Sequence, residues 1–183
     1  MTEAPTPNLS RPEFSRHVRV DQLGALPGKV MIEADEAERA ALMKRFGLLA
    51  LDRLEADYAI GEEQGVIMAR GRVRAALAQP CVATGVPVPE TIDSDFLLRF
   101  VPEEDATPDS EELELDAEDC DTIGYSGNVI DMGEAVAETV ALAMTPFPRS
   151  PEADAYLKES GVLSEEQASP FAALLALKDQ DKQ

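Results

Sequence analysis

The chain has 183 residues, of which 44% are hydrophobic, enough for one domain with a substantial core and with tails. Its formal net charge is −20, from 36 acidic and 16 basic residues, so its long-range field repels the phosphates of nucleic acids. No apolar run approaches the ~20 residues that span a bilayer, no secretory signal is evident, and two cysteines do not make a disulfide framework. These features favour a cytoplasmic protein that binds neither membranes nor DNA.

The first part of the chain predicts two strands and a helix after a disordered N-terminus of residues 1–11. A partly alternating run predicts a strand over Phe14–Val20, and "GKVMIEA" predicts a second strand. Asp35 and Glu38 then form the capping box of a helix. Gly47 stands where that helix would end.

The next part predicts a β-hairpin over about residues 49–77, with its turn at "GEEQG". A further strand is centred on Phe96–Val101. The hairpin's alternation places four side chains on one face, namely Leu54, Ala56, Tyr58 and Ile60.

The last third begins with an acidic stretch, residues 102–121, which predicts a mobile loop with a brief strand at "ELEL". Asp131 and Glu134 form a second capping box, and Met132, Val136, Val140 and Ala143 share one face of the helix that follows. The tail predicts short helices at "PEADAYLKES" and "SPFAALLALK".

We therefore predict an α+β protein with an antiparallel β-sheet or small barrel and a few packed helices. The single domain covers residues 12–148 and includes the acidic loop. Residues 149–183 form a helical C-terminal tail.

Cys81, in "PCVATGVPVP", could be a metal ligand, a nucleophile or a small buried side chain. Thr84 occupies the position of a C-x-x-C partner, and Cys120 and His17 are isolated in the sequence, so a zinc site is not predicted. A reactive thiol needs a lowered pKa, and no charged residue adjoins Cys81 in sequence. We predict a packed thiol with no metal and no cofactor.

No enzymatic motif stands out. "GYSGN" around Ser126 does not match G-x-S-x-G, and no phosphate-binding glycine motif occurs. Glu134 and Glu138 share a helical spacing that usually faces solvent. We predict that the protein is not an enzyme.

Arg70, Arg72 and Arg74 alternate along "ARGRVR", so in a strand all three project from one face. Such a row needs either acidic partners within the protein or a polyanion. An RNA-binding patch and pairing with carboxylates are equally compatible with this pattern.

Four stretches together resemble one family: "GRVRAAL", "QPCVATGVPVPETIDSDFLLRFVPE", "DTIGYSGNVIDMGEAVAETVALAMTPFPR" and "SPFAALLALK". They resemble the YceD family of bacterial large ribosomal RNA subunit accumulation proteins, in an alphaproteobacterial type. The resemblance implies a cytoplasmic, non-enzymatic protein that supports synthesis, processing or accumulation of 23S rRNA.

The resemblance also assigns mainly structural roles. The matching positions are Cys81, Ile130, Asp131, Gly133, Glu134 and Phe171. Many family members carry a C-x-x-C at the position of Cys81 and a second cysteine cluster after the long helix. This chain lacks that second cluster, so the resemblance implies no metal here.

Two hypotheses follow for how the protein acts. It contacts 23S rRNA or its precursor through Arg70, Arg72 and Arg74. Alternatively, it is an acidic adaptor that binds a basic ribosomal protein or processing enzyme.

Overall fold

The structure is a computed structural model that describes residues 13–103 and 121–162. The predicted disordered N-terminus, the strand at "ELEL", nearly all of the predicted acidic loop and the helix at "SPFAALLALK" lie outside the described residues. So does Phe171. These predictions therefore stay predictions.

The chain divides into two compact units. The larger unit contains residues 1–79 and 89–145, and the smaller contains residues 80–88 and 146–183. Each is described below by itself.

Seven strands and three α-helices make up the described residues. The strands are β1 (His17–Arg19), β2 (Val30–Glu33), β3 (Ala50–Glu63), β4 (Val66–Pro80), β5 (Pro87–Pro102), β6 (Asp121–Tyr125) and β7 (Val129–Asp131). The helices are α1 (Glu36–Phe46), α2 (Met132–Ala143) and α3 (Ala153–Glu159), with a 3₁₀ helix at Val20–Ala25.

Five strands form an open sheet in the order β2-β3-β4-β5-β6. Its edge strands, β2 and β6, do not pair with each other within the described residues, so the predicted small barrel is not found there. The sheet is also mixed rather than antiparallel, because β5 and β6 run parallel from the Leu98–Asp121 pair to the Pro102–Tyr125 pair. The two strands are joined by a long connection, which parallel pairing requires.

The predicted hairpin is confirmed as β3 and β4. Gln64 and Gly65 form its turn with φ values of +54° and +83°, as in the two-residue type I′ turns that match strand twist. The inner face of β3 is also as predicted, because Leu54, Ala56 and Tyr58 are buried and Ile60 packs against them.

The first strand prediction was too long. Only His17–Arg19 pair, with β7, and the chain then turns into the 3₁₀ helix at Val20. Phe14 lies before the strand and is fully buried in the core. In contrast, the strand predicted around Phe96 extends from Pro87 to Pro102.

Helix α1 begins and ends as predicted. The Asp35 side chain accepts from the backbone N–H of Glu38, the Glu38 side chain accepts from that of Asp35, and Gly47 ends the helix at φ +66°. Among its residues, Leu42 is buried.

Helix α2 packs its first three turns into the core of the larger unit. Met132, Val136 and Val140 are buried as predicted, whereas Ala143 is exposed because it lies at the end of the helix, past the last buried position, Val140. These side chains join one cluster with the inner face of the sheet, including Tyr58.

The smaller unit holds the loop that joins β4 to β5 together with the segment around α3. The loop is closed by a bond from the Cys81 N–H to the Val86 carbonyl at 2.8 Å. The Val82 N–H donates to the Pro148 carbonyl at 2.9 Å, which fastens the two segments.

Candidate functional site

The arginine row lies on the outer face of the sheet. Arg70, Arg72 and Arg74 alternate along β4 with Gly71, which packs against the core, and Val73, which is buried in it. The antiparallel register places Arg72 opposite Asp57 and Arg74 opposite Glu55. The three guanidinium groups therefore project from one face, as their spacing predicts.

Every arginine of the row has a carboxylate partner. Arg70 pairs with Glu63 at 2.9 Å. Arg72 pairs with Asp93 at 2.5 Å and with Asp95 at 3.3 Å.

Arg74 is the most enclosed member of the row, with 30% of its side chain exposed. Its Nη1 atom lies 2.8 Å from Asp57 Oδ1 and 3.6 Å from Glu55 Oε1, and its Nε atom lies 3.6 Å from Asp93. Three carboxylates, on the two strands that flank β4, thus surround this one cation.

The ion pairs continue across three strands, β3, β4 and β5, and reach Lys29 beside β2. Lys29, just before β2, binds the second oxygen of Asp57 at 2.9 Å, and Arg53 on β3 binds Glu55. Lys29 and then Arg74 hold the pKa of Asp57 below its ordinary value, and Arg72 does so most strongly for Asp93. We call this set of bases and carboxylates the outer-face network.

Four of the described lysines and arginines lie outside the ion pairs. They are Arg39 and Lys44 on α1, Arg99 on β5 and Lys158 on α3. Arg39 donates instead to the Ala34 carbonyl at 2.6 Å. Pairing with carboxylates, the alternative that the sequence left open, is thus what the structure shows for the arginine row.

Gly71 lets the row pack closely over the core. An added Cβ atom there would lie 2.3 Å from the Asp57 carbonyl oxygen and 2.7 Å from both Phe96 Cζ and Tyr58 Cβ. No L-side chain fits in this space. The missing side chain of Gly71 therefore allows Phe96 to pack against β3 beneath the arginines.

Cys81 is buried, as predicted, but its surroundings are polar. The Ser150 N–H donates to Cys81 Sγ at 3.3 Å, and Thr84 Oγ1 lies 3.5 Å from Ser150 Oγ. Hydrogen bonds from Thr84, and then from the backbone of Ser150 and Ala83, lower the pKa of the Cys81 thiol to about 6 although burial opposes them. This lowered pKa could not be predicted from the sequence, because the donors are uncharged and one is 69 residues away.

The only histidine lies beside a serine and an aspartate. Ser15 Oγ donates to Asp131 Oδ2 at 2.5 Å and lies 3.0 Å from His17 Nε2. In a catalytic triad the histidine stands between the other two groups. Here the serine binds the aspartate directly, so the arrangement holds β1 against β7.

Three of the family positions, Ile130, Asp131 and Gly133, lie where β7 meets α2. Asp131 caps α2 by accepting from the backbone N–H groups of Gly133 and Glu134, and it also accepts from the Arg16 N–H at 2.8 Å. A Cβ at Gly133 would lie 2.6 Å from the Phe14 carbonyl oxygen, so only glycine allows this approach. Ile130 is buried.

Glu134 does not complete the predicted second capping box. Its carboxylate binds Arg45 of α1 through two hydrogen bonds, at 2.7 and 2.9 Å. A charge-assisted bidentate pair is stronger than a bond to the neutral N-cap N–H, so the tertiary partner prevails.

Within residues 13–103 and 121–162, no group of three or more His, Cys, Asp and Glu side chains is placed to hold a metal ion. The prediction that Cys81 binds no metal stays a prediction. No helix in the same residues is long and apolar enough to cross a membrane.

These features define a small α+β protein whose larger unit has α1 and α2 on the inner face of an open sheet and a network of ion pairs on the outer face. The family model for "Large ribosomal RNA subunit accumulation protein YceD" matches residues 69–178, more than half of the chain. The chain belongs to this family, as the sequence predicted. No curated protein and no solved structure matches it. The family name implies a role in accumulation of the large-subunit rRNA.

Proposed function

We propose that this protein is a cytoplasmic, non-enzymatic factor that supports 23S rRNA accumulation by binding a basic protein of large-subunit assembly. The family match supports a role in rRNA accumulation, and the charge distribution supports binding of a basic protein. A basic ribosomal protein or processing enzyme complements a chain of net charge −20, whereas rRNA is repelled by it.

The observation that carries this proposal is the outer-face network. Arg70, Arg72 and Arg74 are the bases that best fit an RNA patch, and all three are neutralised by carboxylates. An RNA phosphate would have to displace these carboxylates and would meet their charge at close range. The free energy gained from each phosphate contact is thereby reduced.

Crosslinking of the tagged chain in cells tests the proposal. Mass spectrometry should identify basic large-subunit proteins or a processing enzyme, and loss of the chain should lower 23S rRNA relative to 16S rRNA. Crosslinks to rRNA on β4 without any basic protein partner would overturn the adaptor mechanism.

Direct contact with 23S rRNA through the arginine row is the second candidate. The specific observation in its favour is the row itself, because three exposed or half-exposed guanidinium groups on one face could contact successive phosphates. Arg70, the most exposed of them at 58%, has Glu63 as its one ion-pair partner in the described part of the chain.

Two matched variants separate the candidates. If Arg70 binds rRNA, Arg70→Gln weakens binding of a 23S rRNA fragment, while Glu63→Gln frees Arg70 and strengthens it. If Arg70 only stabilises the β3–β4 hairpin through its ion pair with Glu63, neither change alters RNA binding, and both lower the free energy of unfolding slightly. Changing all three arginines together is less informative because it leaves the buried Asp57 with fewer partners.

A further inference from the structure

A groove of about 270 Å³ lies in the larger unit between the end of β5, the edge strand β6 and the start of α2. Its walls include apolar side chains from three elements. Phe100 and Ile130 are buried beneath it, and Ile123 and Tyr125 of β6 are partly buried against the core. The groove thus combines apolar side chains with polar ones at an edge of the sheet.

The polar side chains that line the groove are acidic or uncharged. The carboxylates are those of Glu103, Asp131, Glu134 and Glu138, and none of the described lysines and arginines lines the groove. Asp131 is occupied by the cap of α2 and by Ser15, and Glu134 is occupied by Arg45. These two carboxylates therefore have structural roles.

Glu103 and Glu138 differ from them because neither has a side-chain partner within the described residues. Burial, and then the charge of Glu134, raise the pKa of Glu138, with Arg45 opposing both. A carboxylate in this setting gains from a cation that approaches it from the groove.

A groove that combines apolar walls with free carboxylates fits a side chain that has an apolar stem and a positively charged end. Arginine and lysine lay their methylene stems along apolar surface and place the charge at the end. A phosphate or an acidic peptide would instead meet carboxylates alone. The chemistry of the groove thus selects a cationic side chain on a protein segment.

We propose that this groove binds an arginine or lysine side chain of a basic protein partner, with the stem against Ile123 and Tyr125 and the charge at Glu103 and Glu138. The inference rests on the proposed adaptor function, for which it names the docking site. It places the partner at the β6 edge, away from the arginines of β4.

The test uses the full chain, labelled with ¹⁵N, and a neutral-ended pentapeptide, acetyl-Gly-Ala-Arg-Ala-Gly-amide. A single arginine avoids the non-specific attraction that any polycation has for an acidic protein. A second peptide with citrulline in place of arginine keeps the shape and removes the charge. Amide shifts should move in β6 and the first two turns of α2 with the arginine peptide, and much less with the citrulline peptide.

The double variant E103Q/E138Q should bind the arginine peptide about tenfold more weakly than wild type, since both free carboxylates are lost. The control E62Q/E159Q removes the same charge from exposed residues that do not line the groove, and it should change binding by less than about twofold. Shifts centred elsewhere, or equal weakening by the two variants, would overturn the proposal.

The partners captured by crosslinking distinguish this inference from the function on which it rests. If the wild-type chain binds a basic large-subunit protein and E103Q/E138Q binds it equally well, the adaptor function stands and the groove is not its site. If the wild-type chain binds no basic protein, the adaptor function itself fails.

Discussion

Arg45 in the last turn of α1 holds both carboxylate oxygens of Glu134 in the first turn of α2, at 2.7 and 2.9 Å. The pair joins two helices whose residues are 89 positions apart in sequence. Glu134 raises the pKa of Arg45 above its ordinary value, so the guanidinium stays charged. Arg45 also binds Glu13 at 3.1 Å.

Glu134→Gln should lower the free energy of unfolding by about 1 kcal/mol, because it replaces a partly buried bidentate ion pair with at most one hydrogen bond from Arg45 to an uncharged amide oxygen. Urea unfolding followed by circular dichroism measures this. Glu138→Gln, one turn further along α2, is the matched control and should change stability by less than about 0.5 kcal/mol. Equal losses in the two variants would mean that the Arg45 pair contributes nothing.

Gly71→Ala should destabilise the protein by at least about 2 kcal/mol, since the new Cβ would overlap the Asp57 carbonyl oxygen. That oxygen belongs to the backbone and cannot turn away. Gly61→Ala provides the control, because Gly61 lies in the adjacent strand with nothing within 4 Å of an added Cβ. Both unfolding free energies come from urea titration. A Gly71→Ala variant as stable as Gly61→Ala would contradict the packing described for Phe96.

The elements that the sequence predicted well depend on neighbours along the chain. The capping box of Asp35 and Glu38, the end of α1 at Gly47 and the outward row of arginines all follow from spacings of a few residues. Their geometry is set by the backbone period, which is visible in the sequence.

The features that could not be predicted from the sequence depend on partners far away along the chain. Glu134 has the spacing of a capping box, but Arg45 takes its carboxylate. The parallel direction of β6 depends on the path of a long connection, which strand periodicity does not encode. Likewise, nothing near Cys81 in sequence indicates Ser150 as a donor.

Asp57→Asn should destabilise the protein in a pH-dependent way. Lys29, and then Arg74, lower the pKa of Asp57 in the folded protein, so the ionised carboxylate adds stability above its unfolded pKa of about 3.9. That contribution is lost as the pH falls through the lower folded pKa. The difference in unfolding free energy between wild type and variant should therefore be largest near neutral pH and shrink below about pH 4.

Asp52→Asn is the control for this titration. Asp52 is exposed on the same strand and has no ion pair in the described part of the chain. The difference in unfolding free energy between wild type and Asp52→Asn should therefore be small at every pH. A pH-independent loss in Asp57→Asn would mean that Asp57 acts through its hydrogen bonds and shape rather than its charge.

Thr84→Val should raise the pKa of the Cys81 thiol from about 6 toward its ordinary value, because Thr84 is the strongest of the donors that lower it. A thiol whose pKa is lowered by folding adds stability above its folded pKa, and this stability is lost as the pH falls through about 6. Wild type should therefore gain stability between about pH 6 and pH 8.5 relative to Thr84→Val.

Thiolate absorbance against pH measures the pKa directly, in a Cys120→Ser background so that the signal comes from Cys81. Thr91→Val, at an exposed position of β5, is the matched control and should leave the titration unchanged. The titration distinguishes a Cys81 thiolate that the loop stabilises from an inert packed thiol. If the midpoint moves with Thr84, the loop stabilises a thiolate with uncharged donors. If wild type already titrates near the ordinary value of about 8.5, burial outweighs those donors and Cys81 is an inert packed thiol.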